Sequence, residues 1–495
     1  MPLAAQDELG PEDFPGINPF GSPDPNRPVG LTVSTDDVNE GYILLSIVQS
    51  KDTILIDNTG RVVNIWESDY YPSNSAYLLE NGNLLRTAAV TAPENSFGFD
   101  GQWGFVNGRF EEYTWDGELV NAVEYYSDDY IGHHDFELLP NGNILLAAFE
   151  RFTEEEALAA GRDPALMPEE GELWGEKVVE IDRDTGEVVW EWRLWDHLVQ
   201  DYNPDAENYG VVADNPGKID MNFHDATQPI DVNYWHINTV DYDPERELIM
   251  LSPRTYSEIW IIDHSISTEE ARGEAGDLLF RWGNPAAYQS GTDADRYLYF
   301  PHDPQWILDG YPGAGNILIY DNGGDERPYS VIFEFIPEKD ANGDFVMTPG
   351  EPTQAEIVWE YIADPPEAFF SLLISGAQRQ INGNTLITEG LNGRVFEVNP
   401  AGEIVWEYYL EPTTWPFRGE RYDLSALDVD LSQDLVFEGG MIWGQDCADG
   451  AQPRLHEYLP HEQADMDLFI DTHGEDAAQA EWEAEACAEH GGIAG

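Results

Sequence analysis

Positive charge is what this chain has least of. Its 495 residues hold 23 Lys and Arg against 96 Asp and Glu, for a formal net charge of −73. Only four of the cations are lysines: Lys51, Lys177, Lys218 and Lys339. A field of that sign repels nucleic acid and anionic membrane surfaces, because holding phosphate takes clustered Lys and Arg. The carboxylates are spread through every turn rather than gathered in a block. That distribution fits adaptation to high salt, where a short Debye length screens self-repulsion, better than an acidic patch for cationic partners. Cysteine is almost absent. Cys447 and Cys487 stand near the end, where a disulfide between them would pin the tail, and they form no metal or redox motif. No apolar run reaches the length of about 18 residues that a membrane-crossing helix needs. Residues 1–26 lack the charged and apolar regions of a secretory signal, although Pro2-Leu3-Ala4-Ala5-Gln6 has the composition of a trimmed remnant.

What is plentiful points to strands. The chain has 16 Trp, 24 Tyr and 21 Phe, punctuated by 45 Gly and 32 Pro, the mark of many short strands joined by turns. One pattern recurs: a polar turn, alternating apolar residues, then an aromatic-acid pair. Clear copies are Asn58-Thr59-Gly60-Arg61-Val62-Val63-Asn64-Ile65-Trp66-Glu67, Asp184-Thr185-Gly186-Glu187-Val188-Val189-Trp190-Glu191-Trp192 and Ala401-Gly402-Glu403-Ile404-Val405-Trp406-Glu407-Tyr408. Weaker ones start at Asp116, Gly276 and Glu356. Their spacing of roughly 45 to 75 residues is too long for a solenoid and suits four-stranded propeller blades with inserted loops. Within one unit the spacing predicts an inner strand at 134–139, a hairpin at Asn141-Gly142, strands at 144–149 and 177–182, and an outer strand at 188–192. Units at 236–283, 302–361 and 375–409 fit the same order, and 74–125 more loosely. Residues 41–67 require a closing strand from elsewhere in the chain.

The expected fold class is all-β: a six-bladed β-propeller with inserted loops and short helices, spanning 41–430. A Pro/Gly-rich lead-in occupies 1–40, and an acidic C-terminal extension occupies 431–495, with a short helix at 477–490. A second short helix is expected at 153–161, capped by Thr153 and stopped by Gly161. The polar stretch 196–233 precedes His236 and is placed to cover a channel mouth.

A second regularity marks a site. Seven residues separate His134 from Asn141, His236 from Asp243, His302 from Asp309, Ser375 from Asn382 and Asn74 from Asn81, each read as a turn. Residues in one register of a radial repeat converge on its axis. A lone histidine is more often structural than chemical, but three in register are less easily dismissed. Asn238 lies two residues from His236 and so faces the same way in a strand. Arg254, on the next strand, brings a guanidinium towards the axis. Three imidazoles could hold zinc or copper. A neighbouring arginine opposes a dication, and no local metal-ligand spacing is present. The same groups suit an oxyanion: N–H donors, one forked cation, and an imidazole nitrogen able to attack. A sulfuryl or phosphoryl group fits.

His-His-Asp-Phe-Glu-Leu-Leu-Pro-Asn-Gly-Asn (133–143), Trp-His-Ile-Asn-Thr-Val-Asp-Tyr-Asp (235–243), Arg254, Phe-Pro-His-Asp-Pro-Gln-Trp (300–306) and Gly-Ala-Gln-Arg-Gln-Ile-Asn-Gly-Asn-Thr-Leu-Ile (376–387) resemble the arylsulfate sulfotransferases. The resemblance covers residues 40–410. It implies a six-bladed propeller that moves a sulfuryl group from an aryl sulfate donor to a phenolic acceptor. No nucleotide donor, other cofactor or metal is implied. By that resemblance His302 is the transiently sulfurylated nucleophile, and His134, His236, Asn238 and Arg254 hold the sulfate. Ser375 is a further substrate-binding candidate, and His133 packs against or orients its neighbour. The resemblance also implies an exported protein. Better-known bacterial members carry an N-terminal β-sandwich used in dimerisation. Residues 1–40 are too short for one, which leaves oligomeric state open. Three alternatives share parts of this pattern: a non-catalytic binding propeller, a hydrolase passing the sulfate to water, and a quinone-dependent dehydrogenase. Of the last, no cofactor and calcium constellation is visible.

Overall fold

The aromatic-acid pairs of the repeat are joints between neighbouring units. Each lies on an outer strand, with its indole buried or, at Trp359, half-buried, and its N–H reaches the next unit. Trp66 donates to the Thr114 carbonyl at 2.9 Å, Trp190 to Ile266 at 2.8 Å, Trp359 to Pro400 at 3.1 Å and Trp406 to Asn58 at 2.7 Å. A buried indole needs such an acceptor, and here the acceptor ties one blade to its neighbour.

The computed structural model describes residues 29–427 apart from 49, 91–96, 98–105 and 411–413. The acidic extension, its expected helix and both cysteines lie outside the described residues. The described chain is a six-bladed β-propeller of antiparallel blades, with two short α-helices. Blade 1 holds strands Tyr42–Ile47, Thr53–Asp57 and Val62–Trp66, and blade 2 spans 76–124. Blades 3, 4 and 5 span 130–193, 237–282 and 302–361, and blade 6 spans 375–409. Two closures complete the ring. Pro416–Tyr422 returns as the inner strand of blade 1, the strand that residues 41–67 required. Gly30–Ser34, inside the expected lead-in, pairs with the outer strand of blade 6 as a fifth strand and covers its edge. Apolar residues from facing blades fill the seams, such as Ile43, Leu45, Leu386, Val395 and Trp406 between blades 1 and 6.

The helix α1 (Glu154–Ala159) forms where its cap predicts. Thr153 and Glu156 make a reciprocal capping box, and Gly161 takes φ +94° just beyond the end. The stretch 196–233 packs on blade 4. Asp220 accepts from the Tyr256 hydroxyl at 2.6 Å, and Lys218 accepts through its carbonyl from Arg281 at 2.8 Å.

Arg418, on the closing strand, lies buried at the axis. Its Nη2 is 2.9 Å from Asp135 of blade 3, and its Nε is 3.0 Å from Asp303 of blade 5. Its Nη1 donates to Tyr77 of blade 2 at 2.9 Å and its Nη2 to Thr239 of blade 4 at 3.4 Å. Asp303 in turn accepts from the Ala377 backbone of blade 6 at 2.9 Å. Blades 2 to 5 therefore meet this one guanidinium of blade 1 directly, and blade 6 is tied to it through Asp303. Removing one member of a buried ion cluster leaves an uncompensated charge. Arg418→Ala should destabilise the fold by about 3–5 kcal/mol, read from the chemical-denaturation midpoint in molar salt. An unchanged midpoint would refute the hub. Two residues further along the inner strands, burial raises Asp241 to about 7 and, with help from Asp303, Glu420 to about 8. Both values exceed those of an unfolded chain, so this contribution is fully present at low pH and is lost as pH rises through the folded values. Tm should therefore fall between pH 6 and 8.5, and a flat or rising Tm there would contradict it.

Candidate functional site

Three of the inner strands break their ladder where the histidines sit. In blade 3, Leu146 pairs with Phe136 but Ala148 with Gly132, so His133, His134 and Asp135 bulge against one partner residue. In blade 4 the register shifts between Ile237 and Val240, and in blade 5 between His302 and Gln305. His134 (φ +52°), His236 (φ +55°) and Asp303 (φ +54°) adopt left-handed backbone there. Bulges re-aim side chains at the rims of sheets, and non-glycine residues tolerate such φ only where the surroundings hold them. The Ser375 strand pairs regularly with its neighbour.

The register differs from the expected one in a single blade. Asp135 accepts from the backbone of Val240, and Asp303 from that of Ala377. These bonds put Asp135, Thr239, Asp303 and Gly376 at one level. Asn238, not His236, therefore shares the level of His134, His302 and Ser375, and His236 stands two residues nearer the mouth. The seven-residue count misled there because Asp243 is still paired strand, opposite Leu248, rather than turn.

The side chains nevertheless converge. The His134 and His236 rings lie 4.7 Å apart. Burial pushes the imidazoles of His134, His236 and His302 well below their usual range, and the charge of Arg254 lowers all three further. At neutral pH each is uncharged, so each ring carries one N–H and one lone pair. Their partners decide which nitrogen has which. His302 Nδ1 is 2.7 Å from Asn322 Oδ1, while Asn322 Nδ2 donates to the Ser371 carbonyl at 2.6 Å and to Ser375 Oγ at 3.0 Å. Because the amide is oriented by those acceptors, its oxygen faces His302 and Nδ1 must carry the proton. Nε2 keeps the lone pair. For His236 the polarity is reversed: Asn233 Nδ2 is 2.9 Å from His236 Nδ1, which accepts, so Nε2–H is a donor.

Arg254 is buried, with its guanidinium 4.9 Å from the Phe300 ring. Burial lowers it to about 10, still charged at pH 7. Among the described residues no carboxylate pairs with it. The closest electrostatic partner, Asp225, is bound to Arg296 at 2.8 Å. Asn238 is fully buried and donates to the Pro301 carbonyl at 3.0 Å, just before His302. Ser375 reaches Asn322 rather than an imidazole. Asn74 is buried, with neither amide atom partnered among the described residues. His133 stacks on Phe149 at 3.7 Å, with its Nδ1 2.9 Å from His134 Nδ1 and its Nε2 2.8 Å from Glu176. Asn322, Asn233 and Glu176 were missed from sequence. No group of three His, Cys, Asp or Glu side chains among the described residues is arranged to hold a metal ion.

Residues 31–411 match the sequence family described as Arylsulfotransferase (ASST). No curated protein matches. Among solved structures, a protein of unknown function from Bacteroides caccae shares 12% identity over 74% of this chain and 93% of its own, with a TM-score of 0.40. Inactive virginiamycin B lyase from Staphylococcus aureus, crystallised with quinupristin, shares 10% over 79% and 89%, with a TM-score of 0.34. The β-propeller domain of Myceliophteria thermophila Cps50 (Swd1) shares 11% over 77% and 89%, with a TM-score of 0.38. Such distant likenesses carry no argument about function. The family match does, because it spans the segments bearing His134, His236, Asn238, Arg254, His302 and Ser375, of which Arg254 opens a 3-10 turn just past the strand end at Pro253: the chain belongs to the arylsulfotransferase family.

Proposed function

We propose that this arylsulfotransferase moves a sulfuryl group from a phenolic sulfate ester to a phenol in two steps, without a nucleotide donor, through a covalent intermediate on His302. The observation that carries this reading is the tautomer imposed by Asn322. A neutral imidazole attacks through its lone pair, and the amide at 2.7 Å leaves that lone pair on Nε2. His236 Nε2–H and the Arg254 guanidinium supply donors and positive charge for the sulfate oxygens, where preorganised dipoles count most. His134 adds a second nitrogen beside His236. Asn238 supports the same site from below, through the carbonyl before His302. Ser375 acts through Asn322 as a positioning residue.

Nitrophenol release from 4-nitrophenyl sulfate in molar salt tests this reading. Release should depend on an added phenol and should drop by about 10³-fold or more in His302→Ala. Release independent of acceptor indicates a hydrolase, and no release indicates a binding propeller. Asn322→Ala should slow the first nitrophenol burst by up to about 10⁴-fold, the effect of losing tautomer control, with Ser375→Ala milder. An unchanged burst in Asn322→Ala would remove the proposed role of that bond. The pH dependence follows from the lowered imidazoles. His302 stays neutral on acidification, so the burst rate should hold level from pH 8 to pH 6. A fall centred on the ordinary imidazole value near 6.5 would contradict it.

A further inference from the structure

Phenol chemistry leaves a proton to be handled. The departing oxygen of the donor must gain one to leave as a phenol, and the acceptor must lose one to attack. His302 serves neither purpose, since its Nδ1 proton is held by Asn322 and its Nε2 bonds to sulfur. Behind His134, however, lies a hydrogen-bonded chain that reaches away from the well. His134 Nδ1 faces His133 Nδ1 at 2.9 Å, and His133 Nε2 faces Glu176 Oε2 at 2.8 Å.

The geometry admits only matched tautomers. Two Nδ1 atoms at that separation share one proton, so one ring donates where the other accepts. With Glu176 ionised, His133 holds its proton on Nε2, His134 holds its own on Nδ1, and His134 Nε2 is a base. With Glu176 protonated, His133 holds its proton on Nδ1, His134 holds its own on Nε2, and His134 is an acid. The chain is built to keep its shape while it switches. Phe149 stacks on His133 at 17°, and Glu176 Oε1 accepts the Ile237 backbone N–H at 2.9 Å. His133 and Glu176 are both fully buried, and no Lys or Arg pairs with Glu176 among the described residues. Burial holds the Glu176 carboxyl well above the usual carboxylate range and His133 down at about 3. The resting chain is therefore neutral, with the proton stored at its far end.

We propose that Glu176, His133 and His134 form a proton relay through which His134 Nε2 protonates the departing phenolic oxygen and later deprotonates the incoming phenol. This rests on His302 being the sulfurylated residue. In the first step the His302 Nε2 lone pair forms the N–S bond, and the S–O(aryl) bond breaks onto the phenolic oxygen. That oxygen takes the proton of His134 Nε2. His134 Nδ1 takes the shared proton from His133 Nδ1, and His133 Nε2 takes the carboxyl proton of Glu176. The negative charge of the aryl sulfate ends on Glu176. In the second step the acceptor phenol gives its proton to His134 Nε2 as its oxygen bonds to sulfur. The N–S electron pair returns to His302, and the relay runs backwards until Glu176 is protonated again. His134 is catalytic in this scheme, while His133 and Glu176 are positioning residues that act through it.

The test compares donors on the wild-type protein and on Glu176→Gln, which keeps a hydrogen bond to His133 but holds no acid proton. With 4-nitrophenyl sulfate, whose leaving group needs little protonation, the variant should keep its burst rate within about threefold. With phenyl sulfate, whose phenol has the tyrosine-like value of about 10, it should lose about 10²- to 10⁴-fold. A uniform loss with both donors, or no loss with phenyl sulfate, overturns the relay while leaving His302 intact. A wild-type protein that gives no burst at all overturns His302 and the relay together. Should the variant fail to fold, the wild-type protein alone decides. Its phenyl sulfate burst, measured across H2O–D2O mixtures, should give a curved plot, because several protons move together. A straight line, meaning one proton in flight, overturns the relay.

Discussion

The guanidinium of Arg418, carried by blade 1, binds blades 2 to 5 directly and blade 6 through Asp303. It comes from the last described strand, yet it lies between Asp135 and Asp303, which belong to the third and fifth blades. Until that strand returns, both carboxylates face the axis without a cation. Ring closure and neutralisation of the axis are therefore one event. The opposing charges raise the arginine well above its ordinary value despite complete burial, the behaviour expected when two carboxylates outweigh desolvation. The same cluster forms the floor of the histidine well, since Asp135 and Asp303 each follow a site histidine in sequence.

That adjacency poses a geometric problem, and the bulges resolve it. Successive residues of a regular strand point to opposite faces, so His134 and Asp135 could not both look to the axis. Nor could His302 and Asp303. Left-handed backbone at His134 and at Asp303, with the extra residues of the bulges, turns both members of each pair inward. The strain is held in place by hydrogen bonds that cross between blades, such as Val240 N–H to Asp135 and Asp303 N–H to the Thr239 hydroxyl. Fold and site thus share their supports. In blade 6 the register residue is only a serine, and its inner strand pairs without a bulge.

Much of this was legible in sequence because it is local and periodic. The blade repeat, the alternation of its strands and the capping signal at Thr153 are short-range patterns, and they led to six blades and to a common well for His134, His302, Asn238 and Arg254. What stayed hidden is set by partners distant in sequence. Asn322 fixes the tautomer of His302 from just past the end of the second strand of its blade, and Glu176 approaches His133 from a strand 43 residues away. Arg418 lay in the closing strand, which carries no histidine and no repeat signature. The misplacement of His236 has a different origin. Counting back from a turn assumes turns of equal length, and the inner strand of blade 4 runs one pair further before it turns.

Charge explains why such a well can exist in so acidic a chain. The three site imidazoles are neutral, and the carboxylates at the floor are bound to Arg418. Asp225, which faces Arg254 from the mouth, is bound to Arg296. The positive charge of Arg254 is left without a carboxylate among the described residues, in a site screened from the remaining anionic surface. One guanidinium balances one monoanion, so an aryl sulfate can enter without carrying an unpaired charge into the interior. Neutral imidazoles then add directional donors without adding cations that would have to be desolvated. A phosphate monoester brings close to two charges at neutral pH and would leave one of them uncompensated in the same well. Its single cation therefore favours sulfuryl over phosphoryl transfer.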